Sequence, residues 1–212
     1  YPVVGNAVRI EPGALVTPHA LAHARRRIAA LPAIARVRVD YRPLARDTVR
    51  VEVAVLERAR LPLGAFDLAE HAARGAAQQR VLIRPANLLR LGEQWRIDGT
   101  WQENRRALGL GVSVPGVFGT QAIWHLDAGV RDWSFDAARA GVEEPERETS
   151  RSVTLGISDW ASPALAWHAR IGLEESTHEG GRGSMLAGGA VHLLDDRIVA
   201  GGDLSAWWAP AA

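Results

Sequence analysis

From Gln94 onward the chain is written in alternating residues, and that period of two limits what it can fold into. Leu108, Leu110, Val112 and Val114 fall on one side of an extended segment, with Ala107, Gly109, Gly111 and Ser113 on the other. Trp124, Leu126, Ala128 and Val130 repeat the pattern against His125, Asp127, Gly129 and Arg131. Successive side chains of a strand point to opposite faces, so each segment has one apolar face and one polar or small one. A series of such segments separated by turn residues is the sequence signature of a transmembrane β-barrel.

Composition narrows the classes further. The chain has 212 residues, a net charge of +1 and no cysteine, which gives no reason to expect nucleic acid and rules out disulfides and thiolate metal sites. Every one of its 25 basic residues is arginine, which reads as a codon bias. Ala107 to Leu126 carries no formal charge and has about the length of a membrane-spanning helix. Pro115 and four glycines argue against a helix there, and the period is two on both sides of the proline, so two strands and a turn are predicted. No basic segment followed by an apolar stretch opens the chain, which reads as processed or as a fragment.

The front of the chain is different. Thr17-Pro18 reads as an N-cap with proline at the first helical position, followed by Leu21, Ala24, Ile28 and Leu31 at helical spacing. Arg25, Arg26 and Arg27 fall largely on the wet side, and Pro32 stops the helix. Val37, Val39 and Tyr41 then alternate with arginines and Asp40, and Val49 to Val55 alternate likewise after a turn over Pro43 to Asp47. The pattern predicts an antiparallel pair packed on the helix, with a further short strand at Ala7 to Ile10. Residues 59–79 form a junction in which Asp67 caps a helix over Leu68 to Gln79.

Strands are predicted over Arg80–Arg84, Glu93–Gln102, Ala107–Val114, Ala122–Ser134, Arg151–Trp160, Leu165–Glu175, Ser184–Leu194 and Ile198–Trp208. Most have about the ten residues that cross a bilayer at a tilt. Glu103–Arg106, Phe135–Ser150 and Ser176–Gly183 then face one side, and Pro115–Gln121, Ala161–Ala164 and Asp195–Arg197 the other. Long loops on one side and short turns on the other fit a barrel. The tryptophans lie mostly near strand ends, where amphipathic rings meet lipid headgroups.

Residues 15–58, with Leu31-Pro32, Val37 to Pro43 and Val49 to Arg58, resemble the last part of a POTRA domain. Asn87 to Gly92 and Val114 to Gly119 resemble two turns that precede early barrel strands in the BamA/TamA-type outer-membrane assembly family. The Val-Arg-Gly-Phe-type motif of a late inward loop and the closing strand with its terminal aromatic are absent. The resemblance implies an α+β POTRA-like periplasmic module over 1–58, a connecting segment over 59–79 and an antiparallel transmembrane β-barrel portion over 80–212. About eight strands are present, either closing on themselves or forming part of a sixteen-stranded barrel. It implies a protein of the bacterial outer membrane that helps insert or translocate other outer-membrane proteins, without catalytic residues or cofactor. Expected partners are outer-membrane lipids and lipopolysaccharide, unfolded outer-membrane clients and periplasmic assembly proteins.

Candidate sites follow from both readings. The strand Arg36, Val37, Arg38, Val39, Asp40, Tyr41, Arg42 would be a sheet edge able to capture a client strand, or an edge merely protected by its charges. Arg96, Asp98, His125, Asp127, Arg131, His168 and Arg170 are expected to line a polar lumen, together with His192. His19 and His23 have metal-ligand spacing with no third ligand near, so a solvated helix face explains them better. Ser184 has no nucleophile-elbow pattern around it. A small barrel binding partners through its exterior loops is the alternative function. A soluble β-rich enzyme is disfavoured, since no acid–base or nucleophile cluster stands out.

Overall fold

A computed structural model describes residues 2–60, 65–135, 146–177, 180–193 and 197–209. In the front module, α1 (Pro2–Val8) and α2 (Pro18–Ala30) pack on a two-stranded antiparallel sheet of β1 (Ile34–Ala45) and β2 (Thr48–Glu57). Thr17 caps α2 by accepting a hydrogen bond from the Ala20 amide at 3.1 Å, and Pro18 occupies the first turn. Ile28 and Leu31 bury against Val4, Ala7 and Ile34, with Val37, Val39, Val53 and Val55 closing the cluster.

Four expectations for this region need correction. Ala7–Ile10 is not a strand: Val3, Val4, Ala7 and Val8 lie on one face of α1, and helical spacing brings them onto α2. Arg27 is buried rather than wet. The turn between β1 and β2 tightens to Arg46-Asp47, because pairing continues to Ala45 opposite Thr48. Helix α3 (Ala65–Gln78) starts before Asp67, which therefore sits inside the first turn and does not cap it.

The rest is one antiparallel meander. Strands β3 (Arg80–Ile83), β4 (Gln94–Gln102), β5 (Arg105–Pro115), β6 (Ile123–Phe135), β7 (Glu146–Trp160), β8 (Leu165–Ser176), β9 (Gly180–Leu193) and β10 (Ile198–Trp208) form a sheet in which each pairs only with its sequence neighbours. The eight strands fall where the alternation put them, although Leu194 lies outside the described residues. Several run longer than expected: cross-strand pairs such as Trp133–Glu148 and Glu174–Arg182 extend the ladders into segments that polarity alone marked as loops. Connections of two residues, Glu103-Asn104, and three, 177–179, therefore replace longer loops at the far end. The expected contrast of long and short connections is not found among the described residues, while 136–145 lie outside them. The sheet does not close, since β3 and β10 are its two free edges.

The register sorts side chains by chemistry. Ile97, Leu110, Ala128, Val153 and Leu173 stand side by side across five strands, and Val112, Leu126, Leu155, Ile171 and Met185 form the next row. This apolar face is the open one: Leu108 and Leu173 are 64% and 65% exposed, whereas Gly111, Asp127, Gly129, Ser152, Thr154 and Gly172 on the opposite face are more shielded, with the long side chains of Arg96, Arg131 and Arg170 reaching solvent there. None of the leucines, isoleucines, valines or tryptophans of β4, β5 and β7–β10 is buried. Trp124 and Trp167 lie on the open face with Trp95, Trp101 and Trp208, and Trp133, Trp160 and Trp207 lie on the opposite one.

The front module sits against the near end of this sheet. Buried Arg27 donates to the Gln121 carbonyl at 3.2 Å and pairs with Asp159 at 3.3 Å, so one side chain of α2 holds the ends of both β6 and β7. His23 Nε2 donates to the Trp160 carbonyl at 3.0 Å, and the Arg26 guanidinium lies 5.2 Å from the Trp160 ring centre. Asn87 donates to Glu57 at 2.9 Å on the other side of the joint. The front module owns most of the buried apolar side chains, so its stability depends on a small core. Ile28→Ala is expected to cost about 3 kcal/mol, read as a lower urea midpoint for loss of the α2 helical signal.

Candidate functional site: the shielded polar face

Alternation places many of the sheet's polar residues on one face, and register decides which of them meet. Arg96 on β4 pairs with Asp98 at 3.0 Å and reaches Asp127 on β6 at 2.9 Å. Between them, on β5, stands Gly111, where a Cβ would lie 2.4 Å from the Asp127 carboxylate. His168 on β8 likewise reaches Asp203 on β10 at 3.1 Å, over Gly188 of β9. A Cβ on Gly188 would lie 1.9 Å from Asp203. In both cases a glycine clears the way for side chains two strands apart to join. Each bridge ties strands that share no backbone hydrogen bond.

His125 is held from both sides. Its Nδ1 is 2.9 Å from the Ser113 hydroxyl on β5 and its Nε2 is 2.8 Å from the Ser158 hydroxyl on β7. Arg170 packs its stem beside Gly156, the residue paired with His125 on the next strand. Arg131 shares the face nearer the far end, between Ala107 and Ser150. His192 stacks on Trp160 with ring centres 4.7 Å apart. The seven residues named from sequence thus share one face: Arg96, Asp98 and Asp127 form one cluster, His125 and Arg170 neighbour each other, and His168 joins a residue sequence reasoning had left out, Asp203. The signal for Asp203 was its parity, since it alternates with Gly201 and Ser205 on the side opposite Leu204.

Among the described residues, no group of three His, Asp or Glu side chains could hold a metal ion. His23 spends its Nε2 on the Trp160 carbonyl, and His19 is exposed. Ser184 stands in register with Gly172 and Trp207.

The strand Arg36–Arg42 is most of β1, whose only partner among the described residues is β2. Arg38 pairs with Asp40 along the strand at 2.5 Å, and Arg42 with Glu52 across it at 3.0 Å. Val37 and Val39 turn toward the core, and Tyr41 is exposed.

A second arrangement lies between β3 and β4, in the Asn87–Gly92 turn marked from sequence; the part that Glu93 plays in it was not foreseen. Glu93 is fully buried and accepts from the Leu89 amide at 2.5 Å and the Leu91 amide at 2.9 Å. Asn87 accepts from the Gly92 amide at 3.1 Å through its side chain and donates its own amide to the Glu93 carbonyl at 2.7 Å. Gly92 has φ 76° and packs so closely on Val3 and Pro115 that a side chain would crowd both. Burial opposes charge on Glu93, but the backbone N–H groups outweigh it and hold the carboxyl below its ordinary range.

Neither protein-family models nor curated proteins give a match to the chain. A solved structure does: BamA from Haemophilus ducreyi lacking POTRA domains 1–3, at a TM-score of 0.52 and 10% identity. The match covers 97% of this chain and 45% of that one, so the chain spans less than half of its length. At that identity the likeness is one of fold: a largely antiparallel, barrel-wall-like sheet.

Two outcomes follow. Gly188→Val should force Asp203 away from His168 and loosen β10, raising amide exchange along that strand and costing about 2 kcal/mol. The stabilisation from Glu93, whose carboxyl is depressed in the fold, is present above the ordinary carboxylate range and is lost as pH falls through the folded value. Acid below about pH 4 should therefore loosen the 87–93 turn first. Glu93→Gln should flatten that pH dependence at a cost of about 1–3 kcal/mol.

Proposed function

We propose that this chain forms part of the wall of a bacterial outer-membrane β-barrel, with a POTRA-like front module on the periplasmic side, and that it assists the insertion or translocation of other outer-membrane proteins. The observation that carries the reading is the open apolar face. Large apolar side chains stand exposed on seven successive strands, β4 to β10, while most polar residues and glycines of β4 to β8 fall on the opposite face. Water would penalise that arrangement heavily, since soluble monomers seldom expose apolar patches beyond roughly 300–600 Å². Lipid tails reverse the sign, and the bridged polar residues then line the lumen.

The free edges support a larger barrel over a closed eight-stranded one. β3 offers four residues and β10 eleven, so their mutual pairing would leave much of the β10 backbone unsatisfied in hydrocarbon. In the proposed assembly further strands pair with β10. The assisting role rests on exposed strand edges: β10 in the wall, and Arg36–Arg42 in the periplasm as a place where an extended client can add by backbone hydrogen bonds. The work is strand pairing at a membrane seam, with neither enzymatic chemistry nor a cofactor. Lipids with lipopolysaccharide, unfolded clients and periplasmic assembly proteins are the proposed partners.

Alkaline extraction of membranes from cells carrying the full-length protein tests the reading. Retention in the pellet is expected, and recovery in the aqueous fraction refutes it. Leu110→Arg, on the open face, should cost about 2–4 kcal/mol in bilayers, whereas Ser113→Arg, on the shielded face of the same strand, should leave membrane retention intact. Assistance is measured as faster folding of an urea-unfolded outer-membrane protein into vesicles containing the full-length protein.

A further inference from the structure

The near rim of the wall, where the front module sits, displays apolar side chains on turns that are held in costly conformations. Asn87 and Arg90 have φ values of 55° and 63°, a region that penalises residues with a Cβ. Buried Glu93 and the Asn87 side chain hold this backbone in place. The outcome is display: Leu88, Leu89 and Leu91 are 46%, 61% and 52% exposed on a turn whose base is buried. The turn between β5 and β6 does the same with Phe118, at φ 55° and 88% exposed. Its ring meets Trp124 edge to face at 5.8 Å. Trp124 belongs to the open apolar face, so Phe118 carries that face past the strand end.

Among the described residues near the front module, Arg84, Arg90 and Arg197 are exposed, while Glu93 is sealed in its turn, Asp159 is engaged by Arg27 and Glu57 accepts from Asn87. The far rim mixes signs in pairs, Arg147 with Asp132 and Arg182 with Glu174. Apolar tips accompanied by arginines suit the level where acyl chains give way to phosphates, since guanidinium groups bind phosphate while leucine and aromatic rings sit just below.

We propose that Leu88, Leu89 and Leu91 with Phe118 form a membrane-interface anchor, seated among the phospholipid headgroups of the leaflet on the front-module side. Arg84 and Arg90 meet the phosphates; Asn87 and Glu93 are positioning residues that hold the turn. The proposal rests on the outer-membrane reading and goes beyond it by fixing where the bilayer surface crosses the wall.

These 212 residues hold no cysteine, so each introduced cysteine is a unique label site within them. Single cysteines at Leu89, Phe118, Leu155 and Arg50 in the full-length protein are labelled with a fluorophore, and the protein is reconstituted into phosphatidylethanolamine–phosphatidylglycerol vesicles. The vesicles carry nitroxide lipids spin-labelled either at the headgroup or deep in the acyl chain. Labels at 89 and 118 should be quenched several-fold more by the headgroup nitroxide than the label at 50, on the exposed hairpin. The label at 155, within the open face, should respond to the deep one. Adding Glu93→Gln should weaken quenching at 89 and leave that at 155 unchanged. Quenching at 155 with none at 89 and 118 overturns the anchor and leaves the barrel wall standing. No quenching at 155 removes the outer-membrane reading and the anchor with it.

Discussion

Strand register is the constraint on which the rest of this structure depends. Ladders from β4 to β10 pair neighbours so that most apolar positions meet apolar positions, and a slip by one residue on any strand would invert its faces. Such a slip of β5 would put Leu110 between Arg96 and Asp127, so both faces resist it. Backbone hydrogen bonds supply cohesion along the meander. Side-chain chemistry supplies the choice of register, because the two faces are made for different surroundings.

The glycines on the shielded face solve a second problem. A sheet held only by neighbour ladders can shear or splay, and a polar face crowded with side chains leaves them no room to find partners. Gly111 and Gly188 remove one side chain at the right place, letting Arg96 reach Asp127 and His168 reach Asp203 across an intervening strand. These partly exposed pairs contribute little energy singly. Their effect is geometric: β4 is referred to β6, and β8 to β10. The second of these bridges matters most, since among the described residues β10 has a neighbour on one side only and Asp203 is its one ionic link inward.

The wall was legible in the sequence because period two is a strong signal and recurs on strand after strand. Helix α2 was legible from its cap and spacing. Misreadings came where local pattern and tertiary context disagree. Ala7 to Ile10 looks alternating in isolation, but Val3 and Val4, just upstream, complete a helical face that only α2 makes useful. Arg27 carries every mark of a solvent-facing residue, and nothing local announces an acidic partner far along the chain at Asp159. Loop lengths were overestimated at the far end because charged residues such as Arg147 and Glu148 pair across strands there. Glu93 was invisible as a site residue: its role is to satisfy backbone donors of its own turn, and a lone acid amid leucines and arginines gives no spacing to read.

Arg27 also shows how the two parts of the chain become one object. Burial lowers its pKa and Asp159 works in the opposite direction, so the guanidinium pays for leaving water through that ion pair and the Gln121 carbonyl. A buried cation with a single acidic partner is weak evidence of added stability. It is better evidence of specificity, because any other seating of α2 on the rim would strand the charge. His23 on Trp160 and Asn87 on Glu57 fix the remaining rotation. The front module is therefore held in one orientation at the rim by directional polar contacts, beside the packing of Val3 on Gly92. That orientation sets where β1 lies relative to the near end of the wall, and hence the path by which anything paired with β1 would meet the sheet.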